Sequence, residues 1–309
     1  MNQFFFNLRQ KCIKPFHTGY LPEQDGHCIF FQQIGNPKGI PVISFHGGPG
    51  SESKPRHAAA FNLKKYHVIL FDQRGCGKST FTDFLYKNTA QEIIKDAARL
   101  LDYLNIKQKV IAAGGSAGST WALLFAQTYP ERVKALLINS IFLGRKKDAA
   151  DMSPIAPFFY PDILDKFQQM AKKENQFDYF YRLLFSEKRA DNEKALRYYG
   201  SFEEMVGGMD VSFDNADLSE EALRRFRIFM IYQKHDFYLK PNQILNDAKK
   251  IAHIPCRIYQ NRLDFSCPPS QAFELAKALP NARLILLPFK GHTGPRLARQ
   301  MYLDNLKDA

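Results

Sequence analysis

Short, continuous apolar runs rich in β-branched and aromatic residues alternate along this chain with stretches whose apolar positions recur at three- and four-residue intervals. The first pattern predicts strands over 28–33, 41–45, 67–71, 110–113, 135–139, 256–260 and 284–287. The second predicts helices between them. The clearest opens at Thr89, which forms a capping box with Glu92 and leads an apolar face of Ile93, Ile94, Ala97, Leu100, Leu101 and Leu104 onto the sheet. Strand–helix alternation of this kind gives a mainly parallel central sheet flanked by helices on both faces, an α/β fold.

Residues 145–250 break the pattern. Strand-like runs vanish, aromatic residues crowd in, and charged helical stretches follow one another until alternation resumes at Ile254. The chain therefore reads as a discontinuous α/β core, residues 1–144 and 251–309, with a helical cap inserted at 145–250 after the strand ending near Phe142.

A length of 309 residues suits one large domain carrying such an insert, and 45% hydrophobic with 24% charged residues excludes a disordered chain. No apolar run approaches the roughly 18 residues of a membrane-spanning helix, so no membrane insertion is expected. Phe4, Phe5 and Phe6 make a brief apolar patch, but Arg9, Lys11 and Lys14 follow it, and no secretion signal is expected. Five cysteines (Cys12, Cys28, Cys76, Cys256 and Cys267) lack CxxC or zinc-type spacing, so the expectation is a reduced, cytoplasmic protein without a metal. Cys76, in a Gly-rich loop, is open to two readings, a small loop residue or a reactive thiol. The net charge of +12 would suit a nucleic-acid partner. Its lysines and arginines, however, are scattered in pairs among acidic residues, so a solvated basic surface and no nucleic-acid binding are expected.

The chemistry gathers around one serine. Val110 to Gly118 reads as an apolar strand ending in Gly114-Gly115-Ser116-Ala117-Gly118, a GxSxG that passes into a helix over 119–129. A sharp strand-to-helix turn needs small residues on both sides, and it lifts the Ser116 hydroxyl out of the sheet. A serine hydroxyl is a poor nucleophile at neutral pH, so it needs a base, and the base needs an orienting carboxylate. Asp264 and His292 lie downstream in that order, each directly after a strand at the carboxyl edge of the sheet. Apart from Ser116, Asp264 could be a turn residue and His292 a loop residue; with it they read as a catalytic triad of the α/β-hydrolase fold. An oxyanion needs two backbone N–H donors. Ala117 supplies one, and Gly48, in His46-Gly47-Gly48-Pro49-Gly50 after an early strand, is the candidate for the other. His46 reads as a loop-holding residue. Gly75-Cys76-Gly77-Lys78-Ser79-Thr80 looks like the end of a phosphate-binding loop, but Asp72 stands where its first glycine belongs and no helix pattern follows, so nucleotide binding is not expected.

These segments together resemble the proline iminopeptidases (prolyl aminopeptidases) of the α/β-hydrolase fold. HGGPG at 46–50, DQRGCGKS at 72–79, GGSAGST at 114–120, AQTYPERV at 126–133, NRLD at 261–264 and GH at 291–292 carry the resemblance, which extends over nearly the whole chain. It implies a cap that holds the free α-amine of the substrate with acidic side chains. Tyr199-Gly200-Ser201-Phe202-Glu203 is similar to the family's aromatic-acidic stretch, which makes Glu203 the implied amine anchor, with Glu204 as a second choice. A second family carboxylate should fall in the stretch 227–232; a gapless reading puts Phe229 there and a shifted one Gln233, so a negative charge is missing. Ala117 also stands where the family carries a tryptophan.

The expectation is a serine hydrolase without cofactor, releasing N-terminal proline from short peptides, with Phe158, Phe159, Tyr199, Phe202 and Phe229 supplying an apolar pocket. One alternative is an esterase, lactonase or amidase for a neutral apolar acyl group. Another is a non-catalytic binding protein on the same fold, whose mark would be a broken triad. Neither the sequence pattern nor the charge speaks to oligomeric state.

Overall fold

The computed structural model describes residues 2–149, 156–292 and 294–307. Its strands are β1 (His17–Tyr20), β2 (His27–Cys28), β3 (Phe30–Gly35), β4 (Ile40–Phe45), β5 (Tyr66–Phe71), β6 (Thr80–Phe81), β7 (Val110–Ser116), β8 (Val133–Ile141), β9 (Cys256–Leu263) and β10 (Ala282–Lys290). Eight form one sheet in the order β1-β3-β5-β4-β7-β8-β9-β10, and β2 pairs with β6 apart from it. The pairs from β5 through β10 are parallel, while β1–β3 and β3–β5 are antiparallel.

Every residue of β5 is buried, as a strand covered on both faces requires. Alternate residues divide between two cores. Ile43, Ile69 and Ala112 pack with the helices Ala90–Tyr103 and Ala117–Thr128 on one face. Val42, Val68 and Ala113 pack with Ala58–Phe61 and the C-terminal helix Pro295–Lys307 on the other. Between β8 and β9 the regular elements of the described chain are all helices, with their own aromatic core around Phe167, Phe180, Tyr199 and Phe202.

The sequence pattern finds the buried strand centres and misses their ends. β9 runs on through Arg262 and Leu263, and β10 reaches Lys290. The run expected at 28–33 is split at the fully buried Ile29, so that β2 leaves the sheet and β3 stays in it. The edge strand β1 and the N-terminal helix Gln3–Cys12 carry too few buried residues for periodicity to register. Thr89 caps its helix as expected, its side chain accepting from the Glu92 N–H. Among the described residues no helix is long and apolar enough to cross a membrane.

Candidate active site

Because β4, β7, β9 and β10 are parallel to one another through the sheet, their carboxyl ends share one edge. The HGGPG loop, Ser116, Asp264 and Gly291-His292 follow those four ends. At Ser116 the chain turns directly from β7 into the helix Ala117–Thr128, two residues earlier than the pattern suggests, with Ser116 at φ 57°. A non-glycine residue is held at such an angle only where its surroundings over-determine it. Here they do: a Cβ on Gly114 would overlap the Gly118 carbonyl, and one on Gly118 would overlap the Phe45 carbonyl. That is why GxSxG needs its outer glycines.

Asp264 is buried and accepts from His292 Nδ1 at 2.9 and 3.0 Å, which leaves His292 Nε2 as the proton acceptor of the ring. The same carboxylate accepts from the Cys267 N–H at 2.8 Å and from Gln260 Nε2 at 3.2 Å. The backbone around His292 is fixed as well: Gly291 N–H donates to the Leu263 carbonyl (3.0 Å), Asn261 Nδ2 donates to the Gly291 carbonyl (2.9 Å), and Ser140 Oγ donates to the His292 carbonyl.

The Ser116 side chain hydrogen-bonds the Cys267 thiol, whose pKa burial pushes well above its ordinary value, so the neighbour is a neutral SH. Nothing in the sequence pattern singles out Cys267 or Gln260. The available signal is that Cys267 sits three residues past Asp264, within the same turn.

The HGGPG loop lies against this cluster. A Cβ on Gly47 would approach Ser116 Cβ to 3.0 Å, and Gly48, at φ +108°, lines the cavity. His46 accepts from the Gln73 N–H at 3.0 Å through Nε2, while Gln73 donates back to the His46 carbonyl at 3.0 Å. Burial lowers the His46 pKa to about 4, so it is a neutral acceptor holding the loop. The segment resembling a phosphate loop is clamped instead by Asp72, which accepts from the Ser53 and Lys78 N–H groups at 2.7 and 2.8 Å. Cys76 is buried there, its thiol pKa driven upward by desolvation, which is the behaviour of a packed loop residue.

A cavity of about 930 Å³ connects Ser116 and His292 to the cap. Glu203 and Glu204 both line it, yet their states differ. Glu204 is ion-paired with Arg225. Glu203 has no cationic partner among the described residues and is hydrogen-bonded to Tyr199; desolvation raises its pKa to about 7. The Tyr199 hydroxyl also reaches Gln233 Oε1 at 3.2 Å.

The aromatic wall expected from five residues is mostly not there. Phe229 lines the cavity. Tyr199 and Phe202 are fully buried in the cap's own core, where Phe202 meets Phe167 and Tyr160 edge-on, because their stretch packs inward along its helix. Phe158 is 80% exposed, and Phe159 stacks on Phe265 outside the cavity lining. Phe229 and Gln233, the two positions weighed for a second carboxylate, both face the cavity one turn apart on the helix Glu220–Lys234. Neither carries charge. Among the described residues no cluster of histidine, cysteine and carboxylate side chains is arranged to hold a metal.

The α/β hydrolase fold family model matches residues 40–294. A proline iminopeptidase from Arabidopsis thaliana is 31% identical over 307 residues, covering 96% of this chain and 80% of its own length. One from Neisseria gonorrhoeae is 34% identical over 281 residues, covering 88% of this chain and 89% of its own. Among solved structures, VinJ superposes with a TM-score of 0.67 at 18% identity, covering 96% of this chain and 99% of its own. The 2-hydroxy-6-oxo-6-phenylhexa-2,4-dienoate hydrolase of Rhodococcus sp. strain RHA1 gives 0.58 at 16%, covering 96% and 97%. The structural likenesses speak for the fold, and the sequence likenesses over nearly the full length speak for more: the chain is a hydrolase that belongs to the proline iminopeptidase family.

Proposed function

We propose that this chain is a serine aminopeptidase that releases N-terminal proline from short peptides through an acyl-enzyme. The observation that carries the reading is that one cavity is lined both by Ser116 and His292 and by Glu203, whose carboxyl has no cationic partner among the described residues. A substrate bound by its cationic amine at Glu203 presents its first carbonyl toward Ser116.

In this scheme Ser116 Oγ attacks the carbonyl carbon while His292 Nε2 takes the hydroxyl proton, and Asp264 keeps the imidazole oriented and stabilises its charged form. The backbone N–H groups of Gly48 and Ala117 hold the oxyanion. The C–N bond then breaks, and His292 returns the proton to the leaving nitrogen. Water then attacks the ester carbonyl as His292 takes its proton, and His292 returns that proton to Ser116 Oγ as the acyl–oxygen bond breaks and proline leaves. No cofactor enters the scheme. The helical insert of 145–250 serves as the cap that selects the substrate over the core of 1–144 and 251–309. The five free cysteines support residence in the reducing cytoplasm.

A second reading keeps the chemistry and replaces the substrate with a neutral acyl group. Phe229 in the wall and the neutralised Glu204 favour it. The test is hydrolysis of a proline arylamide against small acyl esters by wild type and Ser116→Ala. Proline release that Ser116→Ala abolishes supports the peptidase; turnover of esters without any prolyl amide makes it an esterase.

A further inference from the structure

The cavity does not stop beneath the cap. It continues round the carboxyl edge of the sheet to the opposite face, where Ala60, Phe61, Leu297 and Met301 line it together with Ala113 and Leu137. The cap-side wall, by contrast, draws Phe142, Phe237 and Cys267 from the other core. Ser116, at the end of β7 where the sheet separates the two cores, and His292 line the same cavity.

Chemistry assigns these lobes different ends of the substrate. An amine held at Glu203 puts the first residue on the cap side. His292 has to protonate the leaving nitrogen, and the helix Pro295–Lys307, which begins three residues after it, contributes Leu297 and Met301 to the far lobe. The second residue of the peptide therefore enters a lobe that is apolar inside.

Its rim is cationic. Lys54, Arg56 and His57 line the cavity there. Lys54 is paired with Glu52 at 2.6 Å, and no carboxylate among the described residues pairs with Arg56. Arg56 and His57 are both exposed at this rim, and the positive charge of Arg56 adds to desolvation in lowering the His57 pKa to about 4. Arg56 is thus the unpaired cation at the end of an apolar slot.

Resting on the peptidase reading above, we infer that this lobe receives the leaving residue, that its apolar wall favours a large apolar side chain there, and that Arg56 reads that residue's free C-terminal carboxylate. The preferred substrates are then prolyl dipeptides with an apolar second residue. Arg56 acts as a specificity residue and takes no part in bond making.

The test compares Pro-Leu with its C-terminal amide, and with Pro-Gly, for wild type, Arg56→Gln and Arg56→Lys. An ion pair at a partly open rim is worth about 1 kcal/mol, or roughly fivefold. Wild type should prefer Pro-Leu over the amide by about that factor in kcat/KM, mainly through KM, and should cleave Pro-Leu faster than Pro-Gly. Arg56→Gln should bring the acid-to-amide ratio to near one, and Arg56→Lys should restore most of it. A wild-type ratio already near one, or an unchanged ratio in Arg56→Gln, overturns the role of Arg56 while leaving the peptidase reading intact. Equal rates for Pro-Leu and Pro-Gly overturn the apolar lobe. If no prolyl amide of any kind is cleaved while Ser116 still reacts with a fluorophosphonate, the peptidase reading fails and this inference fails with it.

Discussion

Asp264 at the sheet edge is fixed from several sides, by a histidine ring, a backbone N–H and the Gln260 amide, and all of these groups sit on or directly after strands of one sheet. Glu203 in the cap wall has a tyrosine hydroxyl and otherwise desolvation, on a short helix supported by aromatic packing. The two carboxyls thus differ in what surrounds them. Asp264 accepts several hydrogen bonds, whereas desolvation dominates at Glu203 and raises its pKa to about 7. The lesson is a division of labour. In the proposed scheme the sheet edge preorganises charge for any acyl substrate, and the Glu203 carboxyl ionises readily only when a cation arrives.

The sharpest way to break the sheet-edge half is Ser116→Ala. It should lower kcat by on the order of 10⁵-fold on proline arylamide and on acyl esters alike, and abolish labelling by a fluorophosphonate. Loss on one substrate class alone would separate the two chemistries and sink the shared nucleophile. Asp264→Asn should cost somewhat less, about 10³- to 10⁴-fold in kcat, with the arylamide and ester again falling together. The amide must then turn its NH₂ toward either the Cys267 N–H or the Gln260 amide NH₂, so a lower melting temperature should accompany the loss.

What was legible in the sequence follows the same division. The core elements announce themselves because β5 is apolar throughout and the helix Ala90–Tyr103 buries one clean stripe. That Ser116, Asp264 and His292 meet at one edge is legible because each sits at or just after a strand end, and strand ends of a parallel sheet converge. The cap is not readable this way. Tyr199, Phe202 and Phe229 are all aromatic, yet two pack inward and one faces the cavity, a choice made by helix–helix packing that residue type does not encode. The ion pair that occupies Glu204 joins residues 21 positions apart on different helices, and no local pattern marks it.

Glu203→Gln tests the cap half. Its effect on prolyl arylamide should be about 10²-fold in kcat/KM, carried by KM, with a neutral ester changed less than about twofold. The pH dependence sharpens this. The carboxyl, ordinarily ionised above about 4.5, stays protonated up to about 7 in the folded protein. Activity on the amine substrate should therefore gain a rising limb near pH 7 that the ester lacks and Glu203→Gln removes. Stability should move the other way. Between 4.5 and 7 the folded state keeps a proton the unfolded chain has released, so wild type loses stability as pH rises across that window. Glu203→Gln escapes the loss, and its melting advantage at pH 8 over pH 4 should correspond to roughly 2 kcal/mol after allowing for partial solvent access.

The smallest effect is the most discriminating about the cap, because it restores the missing charge. Phe229 and Gln233 both face the cavity, but only Gln233 shares the Tyr199 hydroxyl with Glu203. A carboxylate placed there would lie beside a carboxyl already reluctant to ionise, and like charges at short range push one pKa further up. Gln233→Glu should therefore bind the prolyl amine a few-fold tighter only at pH 8 or above, and move the rising limb of kcat/KM to higher pH. Phe229→Glu, at a position that makes no hydrogen bond to that hydroxyl, should leave the limb in place. If Gln233→Glu tightens binding with the limb unmoved, the two side chains do not share one site, and the shifted reading of the helix Glu220–Lys234 gives way to the gapless one.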